Sequence, residues 1–135
     1  MSTAAVAWLD DKHPEIVRFL ASLVNQDSGT YDREDVNRLA DLLATPLADL
    51  GFTATRYPQT QYGDHWLWEK AGRADERLLF VSHMDTVFAS GTAKERPFSI
   101  SGARAYGPGV LDMKGGIAVV MFALRALQAA TSAAW

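Results

Sequence analysis

The sequence predicts an α/β fold, a mixed sheet flanked by helices, and three observations carry that prediction. Leu78-Leu79-Phe80-Val81 is an apolar run without alternation, the pattern of a strand covered on both faces in the middle of a parallel sheet. Apolar residues recur at helical spacing in two upstream stretches, Ile16, Phe19, Leu20 and Leu23, then Val36, Leu39, Leu43, Leu47 and Leu50. A Gly-Pro-Gly loop at 107–109 precedes a second apolar run, Ile117 to Leu127, which has helical length and helix-forming residues.

Taken in order, Pro14 suits the first turn of a helix that carries the Ile16 to Leu23 stripe. Asn25 to Asp32 reads as a polar loop around Gly29. In the second helix Pro46 predicts a kink or break and Gly51 a C-terminal cap. Phe52 to Tyr57, Trp66 to Glu69 and Arg77 to Ser82 read as strands, followed by a short pair, Pro97 to Ile100 and Arg104 to Tyr106. The order α-α-β-β-β-(ββ)-α requires a mixed sheet with helices packed on it. No internal repeat or low-complexity segment interrupts it.

The Leu78 to Val81 run ends in Ser82-His83-Met84-Asp85-Thr86-Val87. In open α/β sheets ligands bind beyond the carboxyl ends of the strands. Period-2 geometry points His83 and Asp85 to the same side, so the Asp85 carboxylate is placed to take the proton on one ring nitrogen while the other faces a metal. A strand-end histidine bonded to a neighbour is the competing reading. The second cluster is Tyr106-Gly107-Pro108-Gly109-Val110-Leu111-Asp112-Met113-Lys114-Gly115-Gly116. It sets Asp112 on a loop just before a helix N-terminus, where the macrodipole favours the ionised carboxylate that a divalent cation needs; an ordinary helix cap is the alternative. A dinucleotide fingerprint would need glycine where Asp112 stands, and a P-loop would need Ser or Thr after Lys114. Neither fits, which disfavours a nucleotide-binding domain.

Ser-His-Met-Asp-Thr-Val at 82–87, Pro97-Phe98, Ala105-Tyr106-Gly107-Pro108-Gly109 and Asp112-x-Lys114-Gly115-Gly116 together resemble the N-terminal part of the dinuclear zinc exopeptidase and amidohydrolase family. That family includes glutamate carboxypeptidase, acetylornithine deacetylase, succinyl-diaminopimelate desuccinylase and aminoacylase, and the closest resemblance is to the glutamate carboxypeptidase branch, from the Pro14 helix to about Gln128. The resemblance implies that His83 ligates one zinc, that Asp85 is the catalytic-site partner orienting it, and that Asp112 bridges two Zn(2+) ions in a complete active site. It also implies a cis peptide after Asp112. The family's general base, an adjacent Glu-Glu pair, has no counterpart here, and after Asp112 the chain has no acidic residue and no histidine. The expectation is therefore residues 1–135 as the N-terminal part of a catalytic domain, without lid, dimerisation domain or the rest of the ligand set, and inactive by itself. The activity expected of the complete enzyme is hydrolysis of an amide bond next to a free carboxylate, on a small peptide or N-acyl amino acid; full-length relatives are often homodimers. A non-catalytic truncation product or interaction module is the other reading.

Composition is consistent with this. A net charge of −3 with scattered basic residues gives no case for nucleic acid. The N-terminus lacks the basic region of a secretory signal and no apolar run reaches membrane-spanning length, so a cytoplasmic location without membrane attachment is expected. There is no cysteine to serve as thiolate ligand or nucleophile. Ser82 has no G-x-S-x-G context. His13 and His65 lie in no motif, Trp66 and Trp68 share a strand face and read as packing, and Lys114, at a helix start, reads as solvated.

Overall fold

The computed structural model describes residues 3–72, 75 and 77–130. Among them five helices and two small antiparallel sheets form an α/β unit: α1 (Thr3–Asp10), α2 (His13–Val24), α3 (Arg33–Asp49), β1 (Thr53–Tyr57), β2 (His65–Glu69), α4 (Thr92–Glu95), β3 (Ser99–Ser101), β4 (Arg104–Tyr106) and α5 (Gly116–Ala130). None of these helices is long and apolar enough to cross a membrane.

Helix α2 starts where the sequence places it, with Pro14 in the first turn, where the missing N–H has no intrahelical partner to lose. Helix α3 is capped by Asp32, whose side chain accepts from the Asp35 N–H at 3.0 Å. The break expected at Pro46 does not occur. Proline falls in the last turn, and Leu42, whose carbonyl loses a donor, lies on an exposed face where water replaces it. Gly51 then closes the helix, its N–H on Ala48 O at 2.8 Å.

The core is helical. Leu23 and Leu39, both fully buried, pack with Leu43 and Ile117 under Phe19, Leu47, Trp68 and Met84. A second cluster joins Leu50, Met121, Phe122 and Leu124 to Trp8, Leu9 and Ile16, so α5 lies across both α1 and α2. Phe19 meets Phe122 edge-on with ring centroids 5.9 Å apart. Trp66 and Trp68 stack on one face of β2, 5.7 Å between centroids. A charged hub sits at the other end of the hairpin, where buried Asp64 binds Arg33 and Arg56 and accepts the Gln59 N–H at 2.8 Å.

Two features depart from the sequence prediction. The strands pair as two separate antiparallel hairpins, β1 with β2 and β3 with β4. The segment 77–82, expected as a central strand buried on both faces, has no strand partner among the described residues, and Leu78, Leu79 and Val81 are 89, 79 and 82% exposed. The physical reason is that a strand exists only through a neighbour's hydrogen-bonding edge. The first such neighbour comes beyond the run, at the isolated parallel bridge Gly29↔Thr86.

Candidate metal centre

That bridge anchors the first half of the site. The Thr86 N–H donates to Ser28 O at 2.7 Å and the Thr30 N–H to Thr86 O at 2.9 Å. Upstream of it Met84 packs against the Leu23 cluster, while His83 and Asp85 stay partly exposed. Alternation then turns His83 and Asp85 away from the core, to the side the sequence predicts. His83 Nδ1 lies 3.0 Å from Asp85 O and 3.3 Å from Asp85 Oδ1, so a proton on Nδ1 finds acceptors there and would leave Nε2, on the far side of the ring, free for a metal.

The second half is an irregular turn, Val110–Gly115, between β4 and α5. Asp112 (φ −119, ψ 99) and Met113 (φ −129, ψ 33) leave the helical conformation there, and the peptide joining them is cis, as the resemblance implies. Gly109 opens the turn in the left-handed region at φ 72. The result swings Asp112 toward His83, with Nε2 and Asp112 Oδ1 3.0 Å apart. Two donors on one tetrahedral zinc, with bonds of about 2.05 Å, stand ~3.3 Å apart, so the pair has close to that spacing. An imidazole nitrogen with an ionised carboxylate is also the donor chemistry zinc takes. The residues present thus fit a zinc ion, as two donors of a larger set; among the described residues no group of three or more His, Asp or Glu side chains could hold a metal.

The electrostatics agree with a cation position. Burial works against the imidazolium, but the hydrogen bond to Asp112, the Asp85 carbonyl and the two negative charges outweigh it, so His83 titrates above its ordinary 6.5. With Nδ1–H already committed, Nε2 can bond Asp112 only through a second proton or a metal. The centre opens into a cavity of about 320 Å³ whose walls include Thr86, Val87, Phe88 and Leu111. Asp112 is 85% exposed and accessible to an incoming ion.

Lys114 and the loop 25–30 have roles that the sequence did not reveal. Lys114, expected to be solvated, is 1% exposed, and its Nζ donates to Gln26 O at 2.7 Å. Burial lowers its pKa to about 8 against the opposing charges of Asp27 and Asp35. The polar loop 25–30 proves to be the organising element: Asn25 Oδ1 accepts the Phe98 N–H, Asp27 accepts the N–H groups of Gly91 and Ala93, and Thr30 Oγ1 donates to Asp85 Oδ2 at 2.5 Å. A run of Asn, Gln, Asp, Ser and Thr with no apolar residue was the available signal, since such side chains bond backbone when they are not solvated.

Comparison with known proteins places this geometry in a family. The sequence model of Peptidase family M20/M25/M40 matches residues 79–133, the stretch holding His83, Asp85 and Asp112. Carboxypeptidase G2 of Pseudomonas sp. (strain RS-16) is 39% identical over 120 residues, covering 87% of this chain and 29% of its own length. Acetylornithine deacetylases of Photorhabdus laumondii and Edwardsiella ictaluri are 36% and 32% identical over 91 and 109 residues, or 64% and 78% of this chain. The chain spans 24 to 29% of the length of these relatives. On its motifs, their spacing and these matches, the chain belongs to peptidase family M20/M25/M40.

Proposed function

We propose that this chain forms the N-terminal part of the catalytic domain of a zinc-dependent hydrolase that cleaves an amide bond next to a free carboxylate, with His83 and Asp112 as metal ligands and Asp85 as the residue that orients His83. The observation that carries the reading is the 3.0 Å approach of His83 Nε2 to Asp112 Oδ1 from segments 29 residues apart, inside the stretch that matches the family. The names of the relatives support the reaction class. A carboxypeptidase and an acetylornithine deacetylase both hydrolyse an amide whose product bears a free carboxylate, so a small peptide or an N-acyl amino acid is the substrate class proposed here.

Zinc, when bound, supplies polarisation of the scissile carbonyl and a lowered pKa for water. The chain's own residues do three things toward that chemistry. Asp85 holds the Nδ1 proton of His83 and so keeps the Nε2 lone pair available. Asp112 would supply negative charge to a cation held at His83 Nε2. Val87, Phe88 and Leu111 present apolar surface around the donors, which excludes water from one side of a bound substrate. The proton-moving base and the remaining ligands of the complete enzyme lie, in this reading, outside these 135 residues.

Isothermal titration of the purified chain with zinc tests the ligand assignment. Weak binding is expected, because two protein donors do not close a site that needs three or four, and His83→Ala or Asp112→Ala should each abolish it. Variants that bind zinc as the wild type does would refute the assignment. Metal-dependent turnover of N-acyl amino acids by the chain alone, lost in His83→Ala, would refute its dependence on an external base and keep the hydrolase.

A further inference from the structure

We propose that Thr30 is a positioning residue for His83, holding Asp85 in the orientation that fixes which imidazole nitrogen is left free for a metal. The inference rests on the metal reading of His83 given above and extends it to a residue outside the stretch that matches the family.

The Thr30 hydroxyl lies 2.5 Å from Asp85 Oδ2 and 3.1 Å from Thr86 O. A hydroxyl has one proton, and the nearer, negatively charged acceptor takes it. Asp85 thus has one oxygen tied to Thr30 and the other, Oδ1, 3.3 Å from His83 Nδ1, where it adds a charged acceptor beside the Asp85 main-chain oxygen at 3.0 Å. Two fixed points determine the plane of a carboxylate. Asp85 is more than a third exposed, so without the hydroxyl it is free to turn toward water and the Nδ1 proton loses its charged acceptor.

The hydroxyl comes from a rigid backbone. Thr30 N–H on Thr86 O and Thr86 N–H on Ser28 O form the parallel bridge beside Asp85, and Ser28, Gly29 and Thr86 are all buried. At Gly29 a Cβ would stand 2.6 Å from the Phe88 carbonyl oxygen, so the loop lies directly on the 86–88 backbone. The bridge fixes the main chain alone; only the threonine side chain reaches the carboxylate. Any residue but proline at position 30 can keep the bridge, whereas the link to Asp85 needs a hydroxyl on Cβ, which serine and threonine supply.

The experiment is imidazole nitrogen NMR on the metal-free chain, at a pH above the His83 titration, in wild type, Thr30→Val and Thr30→Ser, with a zinc titration of each. In the wild type the His83 proton is expected on Nδ1. Thr30→Val, nearly isosteric, should spread it over both nitrogens and weaken zinc about tenfold, the lower end of the effect of a partner behind a metal ligand. Thr30→Ser should restore the wild-type pattern. A Thr30→Val chain with the wild-type tautomer, or a Thr30→Ser chain that behaves like Thr30→Val, overturns the inference. The wild type alone provides a further check that needs no variant to fold: the Thr30 hydroxyl proton should exchange slowly enough to be observed, and its absence also counts against the inference. If the wild type binds no zinc while the tautomers change as expected, the metal reading falls and the positioning role of Thr30 stands.

Discussion

Gly109→Ala should destabilise the chain by about 2 to 5 kcal/mol, a large part of the 5 to 15 kcal/mol typical of a domain. Gly109 occupies φ 72, ψ 11 at the entrance to the turn that presents Asp112. A left-handed conformation costs an L-residue about 1 to 2 kcal/mol. A Cβ there would also stand 2.6 Å from Thr86 Cγ2 and 3.4 Å from Lys114 Cδ. Neither neighbour retreats easily. Thr86 is held on both sides by the bridge to Ser28 and Thr30, and Lys114 is buried with its ammonium on Gln26 O, so the overlap should add the 1 to 3 kcal/mol of an overpacked interior. Gly102→Ala separates the two contributions: Gly102 is also left-handed, at φ 59, but nothing lies within 4 Å of its Cβ position. Urea unfolding followed by circular dichroism should rank wild type above Gly102→Ala above Gly109→Ala. Equal losses in the two variants would refute the packing argument, and with it the claim that Thr86 and the Asp112 turn are pressed together at this glycine.

Three further outcomes follow from the same structure. The Gln59 N–H, with Arg56 and Arg33, holds the Asp64 carboxyl down at about 2, against burial that would raise it; a depressed pKa stabilises above the unfolded value near 3.8 and the gain is lost as pH falls from about 4 to 2, so Asp64→Asn should flatten the acid-unfolding limb in that window, and parallel curves would refute the assignment. Phe122→Ala should cost about 3 to 5 kcal/mol, because the ring is 2% exposed and packs edge-on against Phe19; a loss below about 1 kcal/mol by urea unfolding would show that the α5 cluster is not the core. The unpaired, exposed run Leu78 to Val81 should make the chain associate with rising concentration, and Leu79→Lys with Val81→Lys should reduce the association seen by light scattering; a wild type that stays monomeric throughout refutes this.

Helices α2, α3 and α5 and the motifs around His83 and Asp112 were legible in the sequence because these are local statements, whereas α1 and α4 were not read from it. The stripe Ile16, Phe19, Leu20, Leu23 records which face of one helix is buried, and a glycine-rich turn before an apolar helix records where a backbone must bend; neither depends on what lies far away in the chain. The approach of His83 to Asp112, across 29 residues, is what the family resemblance implies rather than what either segment states alone. The 77–82 strand depends on more than its own letters. Leu78-Leu79-Phe80-Val81 states that these side chains call for cover on both faces, but the cover is another segment's property, and none of the described residues supplies it. Thr30 was illegible for the complementary reason. Its partner Asp85 is 55 residues away, and a threonine in a polar loop has no periodicity to betray a contact at that distance. Sequence patterns therefore identify the side chains that carry the chemistry more readily than the ones that aim them, since a ligand is recognised by its type and spacing and a positioning residue only by the fold that brings it near. On that argument the loop 25–30, which grips Asp85 through Thr30 and the Asp112 turn through Lys114, is where substitutions should alter metal affinity without touching a ligand.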